Sequence, residues 1–253
     1  MSLARLVAVL PLAVLLAGCL AAARPAGPPA ANPAAADAEA VVLLHGLGRS
    51  DRAMRSLARR LAATGFRVHN LRYRSLTRAP DALAADLHAM LGECCADAGR
   101  VHFVTHSLGG VLLRAYLAEH ALPNRGRVVM LAPPNRGSEL GDLVARSRIL
   151  RAVLGPTGRQ LGTAGGSLPN RLPPADFELG VVAGTRSWNP LGSWLIGDAD
   201  DGIVAVASTR LEGMADFIAL PVSHTAMPRS ERAAAEAAHF LRHGRFQRGA
   251  EGG

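Results

Sequence analysis

The sequence predicts an α/β domain in which a mostly parallel sheet is covered by helices on both faces, and three observations predict it. Strand-like and helix-like segments alternate with short turns from residue 40 onward, which is the rhythm of strand–helix–strand crossovers. The first strand segment, Ala40 to Leu44, is an unbroken apolar run, as expected of a strand buried on both sides. The chain has 253 residues, 49% of them hydrophobic, so it can bury one sizeable core and gives no sign of a second.

The elements follow in order. After Ala40 to Leu44, His45-Gly46-Leu47-Gly48 turns the chain into a helix from Asp51 to about Ala63, capped by Ser50 or Asp51. Phe66 to Leu71 is a second strand and Pro80 to about Cys95 a second helix. Val101 to Val104 is a strand that runs directly into Thr105-His106-Ser107-Leu108-Gly109-Gly110, and the helix Leu108 to Glu119 begins at once. Arg127 to Leu131 is the next strand, stopped by Pro133-Pro134. Glu178 to Gly184 and Asp216 to Leu220 are the two later strands, and Glu231 to His243 closes the domain as a helix. Between Gly137 and Asp176 the rhythm breaks. Leu140, Leu143, Val144, Ser147, Leu150 and Leu154 make a helical stripe flanked by Arg146, Arg148 and Arg151. The spacing favours a helix packed on the sheet, with a cap or lid over residues 137–176 as the alternative, and Gly155 to Pro174 reads as a loop near the site.

The N-terminus has the anatomy of an export signal. A single early charge, Arg5, precedes the apolar run Leu6 to Leu16, which ends in Leu16-Ala17-Gly18-Cys19. Those four residues resemble the lipobox of bacterial lipoproteins. The resemblance implies a signal peptide over residues 1–18, lipidation of Cys19, and a Pro/Ala-rich tether over residues 19–39 that holds the domain at residues 40–247 off a membrane of the bacterial cell envelope, facing periplasm or exterior. An ordinary secretory signal cleaved within Ala21 to Ala23 is the alternative.

The formal charge is +8, yet lysine is absent and the arginines are scattered among acids and apolar residues. Aromatic residues are only 4% of the chain, so neither a basic stripe nor a stacking platform for nucleic acid is present. Cys94 and Cys95 are adjacent, a spacing that fits no metal motif and permits a vicinal disulfide. Leu83, Leu87, Leu91 and Cys94 fall at helical spacing, which points Cys94 inward as a small apolar residue.

The segment around Ser107 is where chemistry is expected. A sharp strand-to-helix turn exposes a serine oxygen, and small residues two before and two after it let strand and helix approach. Gly109 fills the second of these positions and Thr105 the first, so the match is partial. A serine hydroxyl also needs a base, an acid that orients the base, and donors for an oxyanion. Four histidines lie downstream. His120 ends the helix behind the serine, and His239 and His243 sit one turn apart on a polar helix. His224 follows an apolar strand in a short loop and is the expected base. Asp198-Ala199-Asp200-Asp201-Gly202 supplies the acid, with Asp201 preferred and Asp200 in reserve, because the adjacent glycine permits a tight turn. Asp142 and Asp176 come in less strand-like contexts. The backbone N–H groups of Leu47 and Leu108 are the expected oxyanion donors, and His45 is as suited to orienting its loop as to touching substrate.

On these stretches, together with Pro134-Asn135-Arg136-Gly137-Ser138, Asp201-Gly202-Ile203-Val204 and Ser223-His224-Thr225, the chain resembles the α/β-hydrolase superfamily. It is most similar to small bacterial lipases and esterases of the class 2 lipase and glycolipid-anchor deacylase type. The resemblance implies a minimal α/β-hydrolase fold of about six mostly parallel strands. It also implies hydrolysis of carboxylic esters, lipid or acyl, by Ser107, His224 and Asp201 without cofactor or metal. Two departures are Thr105 in place of glycine and the short stretch before Ala40, which leaves little room for leading antiparallel strands. An acyltransferase or thioesterase with the same triad, or a non-catalytic hydrolase-fold envelope protein, stay open as alternatives.

Overall fold

The structure, a computed structural model, describes residues 39–247. The expected signal peptide, Cys19 and nearly all of the tether lie outside the described residues. Six strands form one sheet: β1 (Glu39–Leu44), β2 (Arg67–Asn70), β3 (Arg100–His106), β4 (Arg125–Leu131), β5 (Leu179–Gly184) and β6 (Asp216–Leu220). Their order is β2-β1-β3-β4-β5-β6, and every pairing is parallel. Parallel neighbours need crossovers, and helices supply most of them. They are α1 (Asp51–Ala63), α2 (Pro80–Cys95), α3 (Leu108–Glu119), α4 (Glu139–Arg146), α5 (Arg148–Gly158), α6 (Leu168–Arg171), α7 (Pro190–Ile196), α8 (Val206–Thr209) and the closing α9 (Glu231–His243).

Side-chain alternation along the strands divides the core into two layers. On β1, Ala40, Val42 and Leu44 face one way, toward Leu83, Leu87 and Leu91 of α2 and Leu112, Leu113 and Tyr116 of α3. Val41 and Leu43 face the other way, toward Met54, Leu57 and Leu61 of α1 and Ala237, Phe240 and Leu241 of α9. A strand sandwiched in this manner must be apolar on both sides, which is why Ala40 to Leu44 reads as an unbroken run. The chain moves outward from β1 to β2, then returns to place β3 on the other side of β1. The connections leaving β1 and β3 therefore diverge, and a crevice opens at the strands' carboxyl ends between them.

Three details differ from the sequence reading. The buried cysteine of α2 is Cys95, one turn beyond Leu91, while Cys94 is half-exposed; the apolar stripe continues by a step of four rather than three, and the two sulfurs are bonded to each other. The expected single stripe over residues 140–154 is broken at Ser147, which leaves helical conformation and caps α5 through its hydroxyl, so α4 and α5 are separate helices. The expected loop from Gly155 onward is partly helical, since the chain kinks at Gly155 (φ 71°), continues to Gly158, and forms α6.

Candidate active site

Ser107 sits between the end of β3 and the first residue of α3 with φ 54° and ψ −123°, a left-handed conformation that a non-glycine residue adopts only when its surroundings impose it. They do so here. The Ser107 N–H donates to the Leu131 carbonyl of β4 at 2.9 Å, and α3 starts immediately beyond. Gly109 is what lets α3 come so close, because a Cβ there would lie 2.5 Å from the Leu44 carbonyl oxygen of β1. Thr105, at the position where glycine was expected, is fully buried, and the room for it comes from Gly110, whose Cβ would stand 3.2 Å from the Thr105 hydroxyl. The departure from the motif is thus absorbed one turn further on.

The residues expected as base and acid come from the far end of the sheet. His224 lies in the turn after β6, and its Nε2 is 3.0 Å from Ser107 Oγ. Its Nδ1 is 2.8 Å from Oδ2 of Asp201, whose other oxygen accepts the N–H groups of Ile203 at 3.1 Å and Val204 at 2.9 Å. Gly202, with φ 96°, makes the tight turn that aims the carboxylate. The two loops are joined again by the His224 N–H, which donates to the Asp201 carbonyl at 3.0 Å. The arrangement fixes the tautomer: Nδ1–H donates to the buried carboxylate, leaving Nε2 free to accept the serine proton. Asp200 faces away from the imidazole and accepts from Ser193 Oγ at 2.9 Å and the Gly202 N–H at 2.6 Å. The other rejected candidates have separate tasks. Asp142 binds Thr163, Asp176 pairs with Arg125, His120 stacks on Tyr116, and His239 bonds the Arg245 carbonyl.

The serine opens into a cleft of about 250 Å³ lined by Leu47, Leu140, Val144, Leu154, Leu161 and Ile203. Leu140 and Val144 belong to α4 and Leu154 to α5, so the segment expected to pack on the sheet lines the cleft instead. Leu47 follows β1, and Gly46 brings that loop against the elbow, where a Cβ would be 3.2 Å from Ser107 Cβ. The Leu108 N–H is the first of α3, one of the donors a helix leaves without an intrahelical acceptor. Of the two residues expected to supply oxyanion donors, Leu108 directly follows the serine and Leu47 lines the same cleft.

The sequence profile of the Alpha/beta hydrolase family matches residues 41–249. The chain belongs to the alpha/beta hydrolase family. Among solved structures, this alpha/beta hydrolase is similar to the mature form of the lipase BlEst2 from Bacillus licheniformis, with a TM-score of 0.63 and 22% identity over 83% of this chain and 92% of that one. It is similar also to the phospholipase PlaB from Legionella pneumophila, at TM-score 0.61 and 20% identity over 80% of this chain and 57% of that one. A metagenomic carboxyl esterase follows at TM-score 0.54 and 19% identity, over 75% of this chain and 65% of that one. No curated protein sequence matches the chain.

Three residues that shape this hydrolase site were not singled out from the sequence. His106 is buried beside Ser107, and its Nε2–H donates to the His224 carbonyl at 3.0 Å, tying the His224 backbone to the elbow. Burial, then the neighbouring His224, hold its pKa well below 6.5, so the ring is neutral. Arg114 of α3 is buried, and no carboxylate among the described residues pairs with it. Its guanidinium donates to the carbonyls of Asn135, Leu172 and Pro173 at 3.0 to 3.2 Å, and desolvation lowers its pKa to about 10. It thereby ties the loop after β4 to the chain entering β5. Ser138 caps α4 and donates to the Ile203 carbonyl at 2.6 Å, linking the cleft wall to the acid's turn. A histidine next to the serine was visible in the sequence, but its partner is 118 residues away and no local pattern announces it.

His45 orients its loop. Its Nδ1–H donates to the Gly46 carbonyl at 2.9 Å, its Nε2 accepts from the Tyr73 N–H at 3.4 Å, and its ring stacks on Tyr73 with centroids 4.0 Å apart. Burial lowers its pKa, and it does not line the cleft. Among the described residues His69, Cys94 and Cys95 bring ligand atoms within 4.8 Å of one another, but the sulfurs are joined in the disulfide and none of the three borders the cleft.

Proposed function

We propose that this alpha/beta hydrolase cleaves carboxylic esters of lipids or other acylated molecules through an acyl-enzyme on Ser107. The observation that supports this most directly is the continuous relay from Ser107 Oγ to His224 Nε2 at 3.0 Å and from His224 Nδ1 to Asp201 at 2.8 Å. In the proposed cycle the Ser107 oxygen attacks the ester carbonyl carbon while His224 takes the hydroxyl proton. Asp201 keeps the imidazole in the required tautomer and stabilises the imidazolium. The developing oxyanion is held by the Leu47 and Leu108 N–H groups, the second at the positive end of α3. The tetrahedral intermediate collapses, His224 gives its proton to the departing alkoxide, and the acyl group remains on Ser107. Water, deprotonated by His224, then repeats the addition and releases the acid. The apolar lining of the cleft suits an acyl chain rather than a charged group.

In the same reading Cys19 carries a lipid and places the enzyme at a bacterial envelope membrane. Mass spectrometry of the mature N-terminus tests that part: a diacylglyceryl-modified Cys19 is expected, and a free thiol there contradicts it. The ester reading is tested by rates on p-nitrophenyl esters of increasing chain length. Hydrolysis with an optimum beyond the shortest acyl groups is expected, and no turnover of any ester by a folded protein contradicts it.

A further inference from the structure

Every large hydrophobic side chain exposed among the described residues falls within residues 143–153 or 188–195. These stretches belong to α4, α5 and α7 with the turn that leads into α7, and α4 packs against both of the other helices. On two of these helices, α4 and α5, Leu140, Val144 and Leu154 line the cleft, so the same helices that wall the cleft carry exposed apolar side chains. The chain's two tryptophans are both here, Trp188 at 73% and Trp194 at 78% exposure, with Leu191 between them at 76%. Leaving three such side chains in water on one short segment is unfavourable, and surfaces of this kind are normally covered by something.

The charge around the patch says what covers it. Arg146, Arg148 and Arg151 are exposed, and no carboxylate among the described residues pairs with them. The Arg186 guanidinium lies 4.4 Å from the centroid of the Trp188 ring. Two copies of the chain meeting through this face would set arginines against arginines. Tryptophan, leucine and unpaired arginine together match the boundary of a bilayer with negative headgroups, where indoles settle at headgroup depth and guanidinium groups meet phosphate.

We propose that α4, α5 and α7 form a docking face for an anionic phospholipid bilayer and turn the mouth of the cleft toward it. The proposal builds on the ester-hydrolase reading in naming where the ester is presented, but docking itself requires no catalysis. The docking face is distinct from the lipid at Cys19, which would tether the domain without orienting it.

The two tryptophans make the face directly observable, because all the chain's tryptophan fluorescence comes from it. The full chain carrying Ser107→Ala, so that no lipid is consumed, is titrated with phosphatidylglycerol and with phosphatidylcholine vesicles. Phosphatidylglycerol is expected to shift the emission to the blue, and brominated acyl chains to quench it. Arg146→Ala, Arg148→Ala and Arg151→Ala are each expected to weaken that response about fivefold. Emission that stays at its aqueous position at saturating lipid overturns the proposal, whether or not the chain reaches the vesicles by its N-terminus. An equal response to both lipids, unaffected by the arginine changes, overturns it too, as does blue-shifted emission without lipid that is lost on dilution, the mark of self-association. Hydrolysis of the whole p-nitrophenyl ester series, short to long, by the unmodified chain is measured in parallel. If it is absent while the fluorescence response stands, the ester reading fails and the docking face does not.

Discussion

The ends of the sheet and the cap made by α4, α5 and α7 meet at one cleft but are built on opposite terms. At the sheet ends the groups of the proposed relay are held from several sides. Asp201 accepts three hydrogen bonds, the His224 backbone is held by His106 and Asp201, and Gly109 leaves no space for even a methyl group. The cap is joined to this frame at a few points, such as Ser138 to Ile203 and Thr157 to the Arg78 carbonyl, while its outer side chains stand in water. The difference separates two properties that could have been entangled. Changes in the frame should strike the chemistry on every substrate, and changes in the cap should strike the choice of substrate and the surface it comes from.

The largest expected effects lie in the frame. Ser107→Ala or His224→Ala should lower kcat/KM by about four to six orders of magnitude on short and long esters alike, as measured by steady-state hydrolysis. Asp201→Asn should cost about 10⁴-fold, because an amide no longer holds the required tautomer, whereas Asp200→Asn should stay within about tenfold of the parent. Equal losses in the two would show that the wrong carboxylate has been placed on the imidazole. Next comes a pair of glycines. Gly109→Ala should lower stability by about 1–3 kcal/mol in urea denaturation and reduce all ester rates together, since its Cβ meets the backbone oxygen of Leu44. Gly155→Ala is strained as well, with positive φ and a Cβ driven into the Leu76 carbonyl, but it lies in the cap. It should shift the chain-length profile while leaving short-ester rates within a few-fold, and a uniform fall across all chain lengths would erase the distinction drawn between cap and frame.

The effect on activity is smallest for the buried histidines, whose signature is in stability against pH. Burial lowers the pKa of both His45 and His106 below 6.5, so below that pH the unfolded chain binds more protons than the folded one. Stability is therefore fully present above about pH 6.5 and is lost as pH falls toward the folded-state values, by up to about 1.4 kcal/mol per pH unit for each histidine. His106→Asn should flatten the slope between pH 6.5 and 5 relative to the parent. It should also lower kcat more than KM, because it removes a hydrogen bond that positions His224. An unchanged slope would mean that His106 is not neutral in the folded protein.

The same division explains how much could be read from the chain. The frame was legible because each of its parts has a local signature. Buried parallel strands are apolar throughout, the elbow is marked by Ser107 with Gly109 behind it, and Asp201-Gly202 signals a turn that projects a carboxylate. All six strands fall where the pattern puts them, within two or three residues. What stayed hidden depends on contacts between distant segments. The roles of His106 and Arg114 rest on carbonyls 118 and 58 residues away, and a carbonyl is the same in every residue. The cap was misread in part because an apolar stripe at helical spacing says that a helix has a greasy side, not what that side meets. Residues 140–154 have two such sides, one on the cleft and one in solvent, and the break at Ser147 is a capping event that periodicity does not register. The helix α7 escaped notice because seven residues are too few to show a period, although Asn189 caps it by accepting from the Gly192 N–H at 3.1 Å.

The central claim is that Ser107 is a nucleophile activated by His224. It is met most directly by exposing the folded chain to a fluorophosphonate and locating the adduct by peptide mass spectrometry. A single covalent adduct on Ser107 is expected, formed rapidly in the parent, absent in Ser107→Ala and strongly slowed in His224→Ala. A folded parent that forms no adduct at Ser107, or one that labels equally fast without His224, would contradict it.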